Sequence, residues 1–198
     1  PVRLGINVSP QQFNKGTIVA QIERFRAERW LDPSLLEIEI PHEAMLQLVD
    51  AHREQLYRLR DLGVRFALDH LGSGLLDAAR LLRCPADTLK IDRALVERLD
   101  VDVHARELVE GICQLGQRFQ LRVVAVGVER ESQLSILRQA GCTDAQGYLF
   151  SRPVPAPWGT LKDTDRQKGL SLGRLLRKAR APSMKLCPAS RKVAAPSS

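Results

Sequence analysis

The sequence has no uncharged apolar run near the roughly 18 residues that a membrane-spanning helix needs. Its four cysteines form no Cys-x-x-Cys pair and have no matching histidine spacing, which argues against structural zinc and favours free thiols in a reducing compartment. The basic and apolar segments of a signal peptide are also missing from its start. We therefore expect a cytoplasmic protein, and a chain starting at Pro1 predicts a longer reading frame.

Acidic side chains are absent from one end of the chain. Residues 166–198 contain no Asp or Glu but nine of the 30 Lys and Arg residues, which leaves 21 basic and 23 acidic residues in 1–165. The high isoelectric point therefore comes from the basic residues at the end of the chain. The charge of the remaining residues gives no reason to expect nucleic-acid binding. We predict a domain at 1–162 and a basic tail at 163–198, whose Gly, Pro and Ser content favours disorder over a membrane-surface helix.

Short apolar runs of strand character recur along the domain. They lie at 3–8, 35–40, 64–68, 88–91, 121–125 and 144–148. Between them, apolar residues stand three and four apart, which is the spacing of an amphipathic helix. Strands that alternate with helices predict an α/β fold with a mainly parallel sheet.

Polar side chains fall in or just after the second half of nearly every strand, and the units repeat about every 28 residues, near the average of a (β/α)8 barrel. These residues are Asn7, Glu39, Asp69, Lys90, Asp92 and Gln146. A doubly wound sheet would also alternate, but the glycine-rich first turn common there is absent. We predict a TIM-like (β/α) barrel that is incomplete, with its first two strands missing from this chain.

The residue types at these strand ends suit metal chemistry. Asn7, Glu39 and Asp69 offer only oxygen ligands, as Mg²⁺ and Mn²⁺ prefer. Lys90 and Asp92 share one side of a strand, and a lysine held there could orient or deprotonate a water. The alternative interpretation is that Asn7 and Asp69 cap helices and that Glu39 forms a surface ion pair.

Several strings of the sequence resemble the EAL domain, the bacterial phosphodiesterases that linearise cyclic di-GMP. They are INVSPQQF (6–13), LLEIEI (35–40), FALDHLGSG (66–74), DTLKIDRALV (87–96), VVAVGVERESQLSILRQAGC (123–142) and AQGYLFSRPVP (145–155). The resemblance runs in unbroken order from residue 3 to about residue 162. It implies a TIM-like barrel, Mg²⁺ or Mn²⁺ as cofactor and a metal-activated water that attacks one phosphodiester bond.

The resemblance also assigns roles to individual residues. It implies metal binding by Asn7, Glu39, Asp69 and Asp92. It implies catalytic roles for Lys90 of the LKID string and for Gln146 of the QGY string.

The departures from the family pattern indicate weakened or lost metal binding. The EAL signature itself would lie before Pro1, His70 stands for the second Asp of the DDFG motif, and Val126 stands for the Glu of EGVE. Pro41 and His42 replace the Thr and Glu that end another family motif. Valine has no donor atom and histidine suits Mg²⁺ poorly, so we expect one metal ion or none. We interpret both histidines as tolerated substitutions, the alternative being a different metal site.

These observations predict a degenerate EAL domain that no longer hydrolyses cyclic di-GMP and acts as its receptor or as an interaction module. The alternatives are an active Mg²⁺- or Mn²⁺-dependent phosphodiesterase in the complete parent protein, and a gene remnant without function. By resemblance, the parent would carry GGDEF, PAS or receiver modules. A homodimer is compatible with the sequence, whereas nucleic acid is not expected as a partner and a membrane would be reached only through the basic tail.

Overall fold

The computed structural model describes residues 4–14, 16–29, 32–72, 83–150 and 191–192. The strands of this part are β1 (Leu4–Asn7), β2 (Leu36–Pro41), β3 (Arg65–Leu71), β4 (Thr88–Ile91), β5 (Arg122–Val126), β6 (Asp144–Gln146) and β7 (Arg191–Lys192). Its helices are α1 (Pro10–Asn14), α2 (Ile18–Ala27), α3 (His42–Asp61), α4 (Arg93–Glu97), α5 (Val103–Arg118) and α6 (Glu131–Gln139), and a 3-10 turn covers Pro33–Leu35.

The strands form a single sheet in the order of the sequence. Neighbouring strands pair in parallel from β1 through β6, and β7 pairs with β6 in the antiparallel direction. Within the described residues, helices connect β1 to β2, β2 to β3, β4 to β5 and β5 to β6, as parallel pairing requires. The predicted α/β fold is confirmed, with β4 at the predicted residues and β6 ending two residues earlier than predicted.

Alternation along the strands separates the two faces of the sheet. The residues that face the helices are apolar and buried: Ile38, Ile40, Phe66, Leu68, Leu89, Ile91, Val123 and Ala125. Their neighbours on the other face include charged side chains, such as Glu39 and Lys90. Successive side chains of a strand point to opposite faces of the sheet. The face that packs against the helices therefore forms the core with them, and the other face carries polar groups.

The sheet is curled, with its polar face inside. Lys90 of β4 reaches Glu39 of β2 across β3, and Arg122 of β5 reaches Glu37 of β2 across two intervening strands. In a flat sheet, β2 and β5 would lie about 14 Å apart. The inward curl closes this gap to side-chain reach, and the predicted incomplete TIM-like barrel is confirmed as a half-barrel of six parallel strands.

The boundary predicted at residue 162 lies outside the described residues. Of the predicted tail, 163–198, only β7 is described. Within the described part of the chain, no helix is long and apolar enough to cross a membrane.

Candidate functional site

An ion-paired lysine lies at the carboxyl ends of the central strands. The Nζ atom of Lys90 lies 2.6 Å from Oε2 of Glu39 and 4.0 Å from Oδ2 of Asp69. The three side chains are only 10%, 19% and 17% exposed, respectively. Partial burial strengthens such charge-assisted hydrogen bonds relative to water. The structure thus brings together three residues that the sequence predicts at one rim.

A β-bulge in β3 shapes this cluster. In the register between β3 and β4, Asp69 and His70 together lie opposite Lys90, so that one strand carries an extra residue. The backbone of His70 has φ 61°, in the left-handed region that histidine enters more readily than most residues. Its N–H donates to Oδ1 of Asp69 at 2.9 Å. Bulges redirect side chains, and this one sets the Asp69 carboxylate toward Lys90.

The first strand leaves room for the Glu39 carboxylate. A Cβ atom placed on Gly5 would lie 2.5 Å from Oε1 of Glu39, which shows that this oxygen occupies the space above the glycine. Asn7 is the register partner of Glu39 and is exposed at the same rim. The structure therefore places Asn7 beside the cluster, as predicted.

Asp92 lies one residue beyond β4 and begins a helix. Its Oδ1 atom accepts a hydrogen bond of 2.7 Å from the N–H of Ala94, so it is the N-cap of α4. Its own N–H donates to the carbonyl of Leu71 at 2.9 Å. The cap occupies one carboxylate oxygen, and the metal-binding role of Asp92 stays a prediction.

Gln146 ends β6 with its backbone held in place and its side chain exposed at the rim. Its carbonyl accepts hydrogen bonds from the N–H groups of Gly127 (2.8 Å) and Val128 (3.0 Å). The next residue must be glycine, because a Cβ on Gly147 would lie 2.1 Å from the carbonyl oxygen of Val128. Val126 is the register partner of Gln146, so this part of the rim offers one amide and one apolar side chain.

The two histidines flank Asp69 without forming a metal site. His42 is buried, with Nδ1 3.4 Å from the carbonyl oxygen of Asp69, and its Nε2 has no hydrogen-bond partner. His70 is about half exposed, with Nδ1 3.7 Å from Oδ2 of Asp69. Among the described residues, no three His, Cys, Asp or Glu side chains are grouped as metal ligands would be. The roles of His42 and His70 stay predictions.

Sequence reasoning missed a second ionic layer below the first, which we call the Arg122 clamp (Glu37, Arg122 and Asp144). Nη1 of Arg122 lies 3.5 Å from Oε2 of Glu37, and its Nε lies 3.4 Å from Oδ2 of Asp144. Glu37 and Asp144 each precede a rim residue by two positions and so share its face. That two-residue spacing of charges was the signal available in the sequence.

Comparison with known proteins connects this half-barrel to one family. The family model described as "EAL domain" matches residues 1–153. The chain belongs to the EAL domain family. The resemblance seen in the sequence is thereby confirmed.

The relatives of this EAL domain include named cyclic di-GMP enzymes. The Pseudomonas aeruginosa protein named "Cyclic di-GMP phosphodiesterase NbdA" is 34% identical over 78% of this chain, which spans 20% of that protein. The structure of the PaMucR phosphodiesterase in complex with c-di-GMP has a TM-score of 0.72 and 34% identity, with coverage of 78% of this chain and 62% of that one. A manganese and cyclic di-GMP complex of Klebsiella pneumoniae BlrP1 has a TM-score of 0.70 and 28% identity, with coverage of 76% and 39%. This EAL domain thus spans about a fifth of the length of the curated relatives that it matches.

Proposed function

We propose that this EAL domain binds cyclic di-GMP at the rim formed by the carboxyl ends of its strands and does not hydrolyse it. Binding is supported by the names of its relatives and by the conserved shape of the fold, since solved complexes with this dinucleotide have the same half-barrel. Loss of hydrolysis is supported by the chemistry of the rim. The two parts of the proposal rest on different observations and are tested separately.

The observation that carries the proposal is the ion pair between Lys90 and Glu39 with Asp69 alongside. One ammonium already offsets part of the charge of two carboxylates at distances of 2.6 and 4.0 Å. A pair of divalent ions about 4 Å apart repel each other and need several carboxylates between them. Val126 and His70 occupy rim positions where the family resemblance implies acidic ligands. The remaining charge is too small for two ions.

The residues present fit one divalent ion. Glu39, Asp69 and the amide of Asn7 provide oxygen donors at neighbouring strand ends, whereas one oxygen of Asp92 already caps α4. When bound, Mg²⁺ or Mn²⁺ would supply positive charge to a phosphodiester. Lys90 competes for the same carboxylate, and we therefore expect this ion to bind weakly.

Lys90 and Gln146 act in recognition under this proposal. Lys90 carries three N–H donors in a largely buried position, and an ammonium there pairs well with a phosphate oxygen. The exposed amide of Gln146 can donate and accept at the opposite part of the rim. Neither role requires a second metal ion.

The wider context of the domain is also a proposal. Because the chain spans about a fifth of its curated relatives, we infer that it works inside a longer signalling protein. One relative is named as a bifunctional diguanylate cyclase and cyclic di-GMP phosphodiesterase, which makes a diguanylate cyclase module a reasonable neighbour here. An active phosphodiesterase in such a parent is the competing function.

The test is calorimetric titration of cyclic di-GMP into the full chain, with Mg²⁺, with Mn²⁺ and without metal, followed by chromatography of the nucleotide. We expect saturable binding and unchanged cyclic dinucleotide. Release of linear pGpG in a metal-dependent reaction would overturn the loss of hydrolysis. Absence of binding from a folded chain would overturn the receptor role.

Two variants locate the binding at the rim. Gln146→Ala removes an exposed amide without disturbing its backbone, and we expect it to weaken cyclic di-GMP binding about tenfold. The control is Gln114→Ala on the exposed part of α5, which should bind as the parent chain does. Equal affinity in both variants would place the nucleotide elsewhere.

A further inference from the structure

Two buried cysteines meet where helix α5 packs on the sheet. Cys113, on the buried side of α5, is 0% exposed, and Cys142, in the turn between α6 and β6, is 3% exposed. Both are thiols in this structure, and they share a hydrogen bond. Because Cys142 precedes β6, the pair lies toward the amino ends of the strands, away from the rim that carries the polar cluster.

A second contact fixes α5 against this turn. Cys113 and Gln117 are four residues apart in α5 and therefore lie on the same side of the helix. A Cβ placed on Gly141 would collide with the amide nitrogen of Gln117, so this side chain lies directly against the turn. Since Gly141 and Cys142 are adjacent, two neighbouring residues of the turn contact two neighbouring positions of the helix.

The backbone of two strands surrounds the Cys142 sulfur. Its Sγ atom lies within hydrogen-bonding distance of the carbonyl oxygens of Val123 in β5 (3.4 Å) and Asp144 in β6 (3.2 Å). Helix α5 approaches the same part of β5 closely, because a Cβ on Gly116 would collide with a methyl group of Val123. The sulfur of Cys142 therefore lies at the junction of β5 and β6, against the buried side of α5.

The two thiols differ in their readiness to ionise. A hydrogen bond from the Cys113 thiol, together with backbone hydrogen bonds with Asp144 and Ala125, outweighs burial and holds the pKa of the Cys142 thiol below its ordinary value. The same hydrogen bond and burial raise the pKa of the Cys113 thiol. Because the thiolate is the nucleophile in cysteine chemistry, Cys142 is the sulfur that reacts first, and Cys113 keeps its proton.

We propose that Cys113 and Cys142 form an oxidisable pair, which hydrogen peroxide converts to a disulfide between α5 and the turn before β6. The Cys142 thiolate attacks one peroxide oxygen, so that an S–O bond forms, the O–O bond breaks and hydroxide leaves. The Cys113 sulfur then attacks the sulfenic acid, the S–O bond breaks as the S–S bond forms, and the oxygen leaves as water with the Cys113 proton. Hydroxide takes up the proton that Cys142 released. Two thiols and one peroxide thus give one disulfide and two waters, with two electrons passing from sulfur to oxygen.

The position of the pair suits a reversible modification. Thr143 is exposed, so Cys142 lies directly beneath the surface, and a small peroxide reaches it through a local opening of this turn. In reducing compartments, disulfides are usually transient and serve in redox sensing or catalysis. A cysteine that only filled the core would need no second thiol in contact with it.

Peptide mapping of the full chain by mass spectrometry, after treatment with hydrogen peroxide, tests the pair. We expect the loss of two hydrogens and a linked peptide that contains Cys113 and Cys142, which dithiothreitol separates again. Cys84 is an internal control, because it lies as many residues before Cys113 as Cys142 lies after it. In urea both links to Cys113 should form equally, whereas in the folded chain the link to Cys142 should exceed the other at least about tenfold. Equal links in the folded chain, or two thiols that peroxide leaves unmodified there, would overturn the proposal.

Two variants test the order of the steps. Cys113→Ser keeps a hydrogen-bond donor beside Cys142 but removes the second sulfur, so peroxide should leave Cys142 as a sulfenic acid that dimedone labels. In Cys142→Ser, we expect dimedone to label Cys113 at least about tenfold more slowly. Equal labelling in the two variants would contradict the role of Cys142 as nucleophile. A folded Cys113→Ser chain without label on Cys142 would overturn the site itself.

Discussion

Lys90 of β4 and Glu39 of β2 are joined across the intervening strand by a 2.6 Å ion pair. Replacing the lysine by methionine keeps its length but leaves two partly buried carboxylates without their cation. We expect Lys90→Met to lower the free energy of unfolding by about 2 kcal/mol. We also expect Mn²⁺ to raise the melting temperature of this variant more than that of the parent, because the ion takes over the role of the ammonium. Thermal unfolding with and without Mn²⁺ measures both effects.

The matched control is Arg83→Met, which removes a cation from the exposed pair with Asp50 at 3.5 Å. Exposed pairs contribute little, so its unfolding and its response to Mn²⁺ should equal those of the parent. The same response to Mn²⁺ in both variants would show that the ion does not bind at Glu39.

The Arg122 clamp predicts a second effect on stability. Arg122→Met removes the guanidinium that contacts both the Glu37 and the Asp144 carboxylates, which are 12% and 8% exposed. We expect a loss of about 1 kcal/mol, smaller than for Lys90 because the arginine itself is 31% exposed and its two contacts are longer. Urea titration of this variant and of Arg122→Lys checks it: the lysine should recover part of the loss. An unchanged midpoint for Arg122→Met would refute the clamp.

Two glycines give opposite predictions for the same substitution. Gly147→Ala would drive a methyl group into the backbone of Val128, which cannot move aside as a side chain could. We therefore expect it to lower the free energy of unfolding by about 2 kcal/mol. Gly111 lies within α5, and a Cβ placed on it would have none of the described atoms within 4 Å, so Gly111→Ala should stabilise the chain by about 1 kcal/mol. Urea unfolding of the two variants and of the parent chain compares them. Equal losses of stability in the two variants would contradict the open space beside Gly111.

Acid stability should depend on Asp100 in the turn before α5. A hydrogen bond with Ser132 and the neighbouring Arg130 guanidinium, 2.6 Å away, hold the pKa of this carboxyl below its usual value. A lowered pKa in the folded state stabilises the protein above the unfolded value of about 3.9 and ceases to do so as the pH falls through the folded value. Asp100→Asn should therefore flatten the loss of stability below about pH 4. Unfolding curves from pH 3 to 7 that coincide in slope for both proteins would contradict this.

Local patterns were enough to predict the fold. Short apolar runs identified the six parallel strands, and their regular repeat favoured a barrel over an open sheet. The six parallel strands and their pairing followed from the alternation with helices, whereas the antiparallel β7 was not predicted. None of this required knowledge of contacts between distant residues.

The site was predicted only in part, because its decisive features depend on register. The family strings located Glu39, Asp69 and Lys90, which the structure brings together. The bulge that sets Asp69 and His70 opposite one residue of β4 has no local signature, since it arises from how two strands align. The sequence analysis considered helix capping for Asn7 and Asp69 but not for Asp92. The structure shows that Asp92 caps α4, a helix of only five residues.

The β6 edge of the sheet carries β7, a strand of two residues, both of them basic. An open sheet edge is a template on which other chains can add strands and aggregate, and a very short edge strand is among the features that limit this. The antiparallel direction also lets a chain segment reach the edge without a helical crossover. Residues 191 and 192 therefore occupy one edge of the half-barrel with a segment from far along its own sequence.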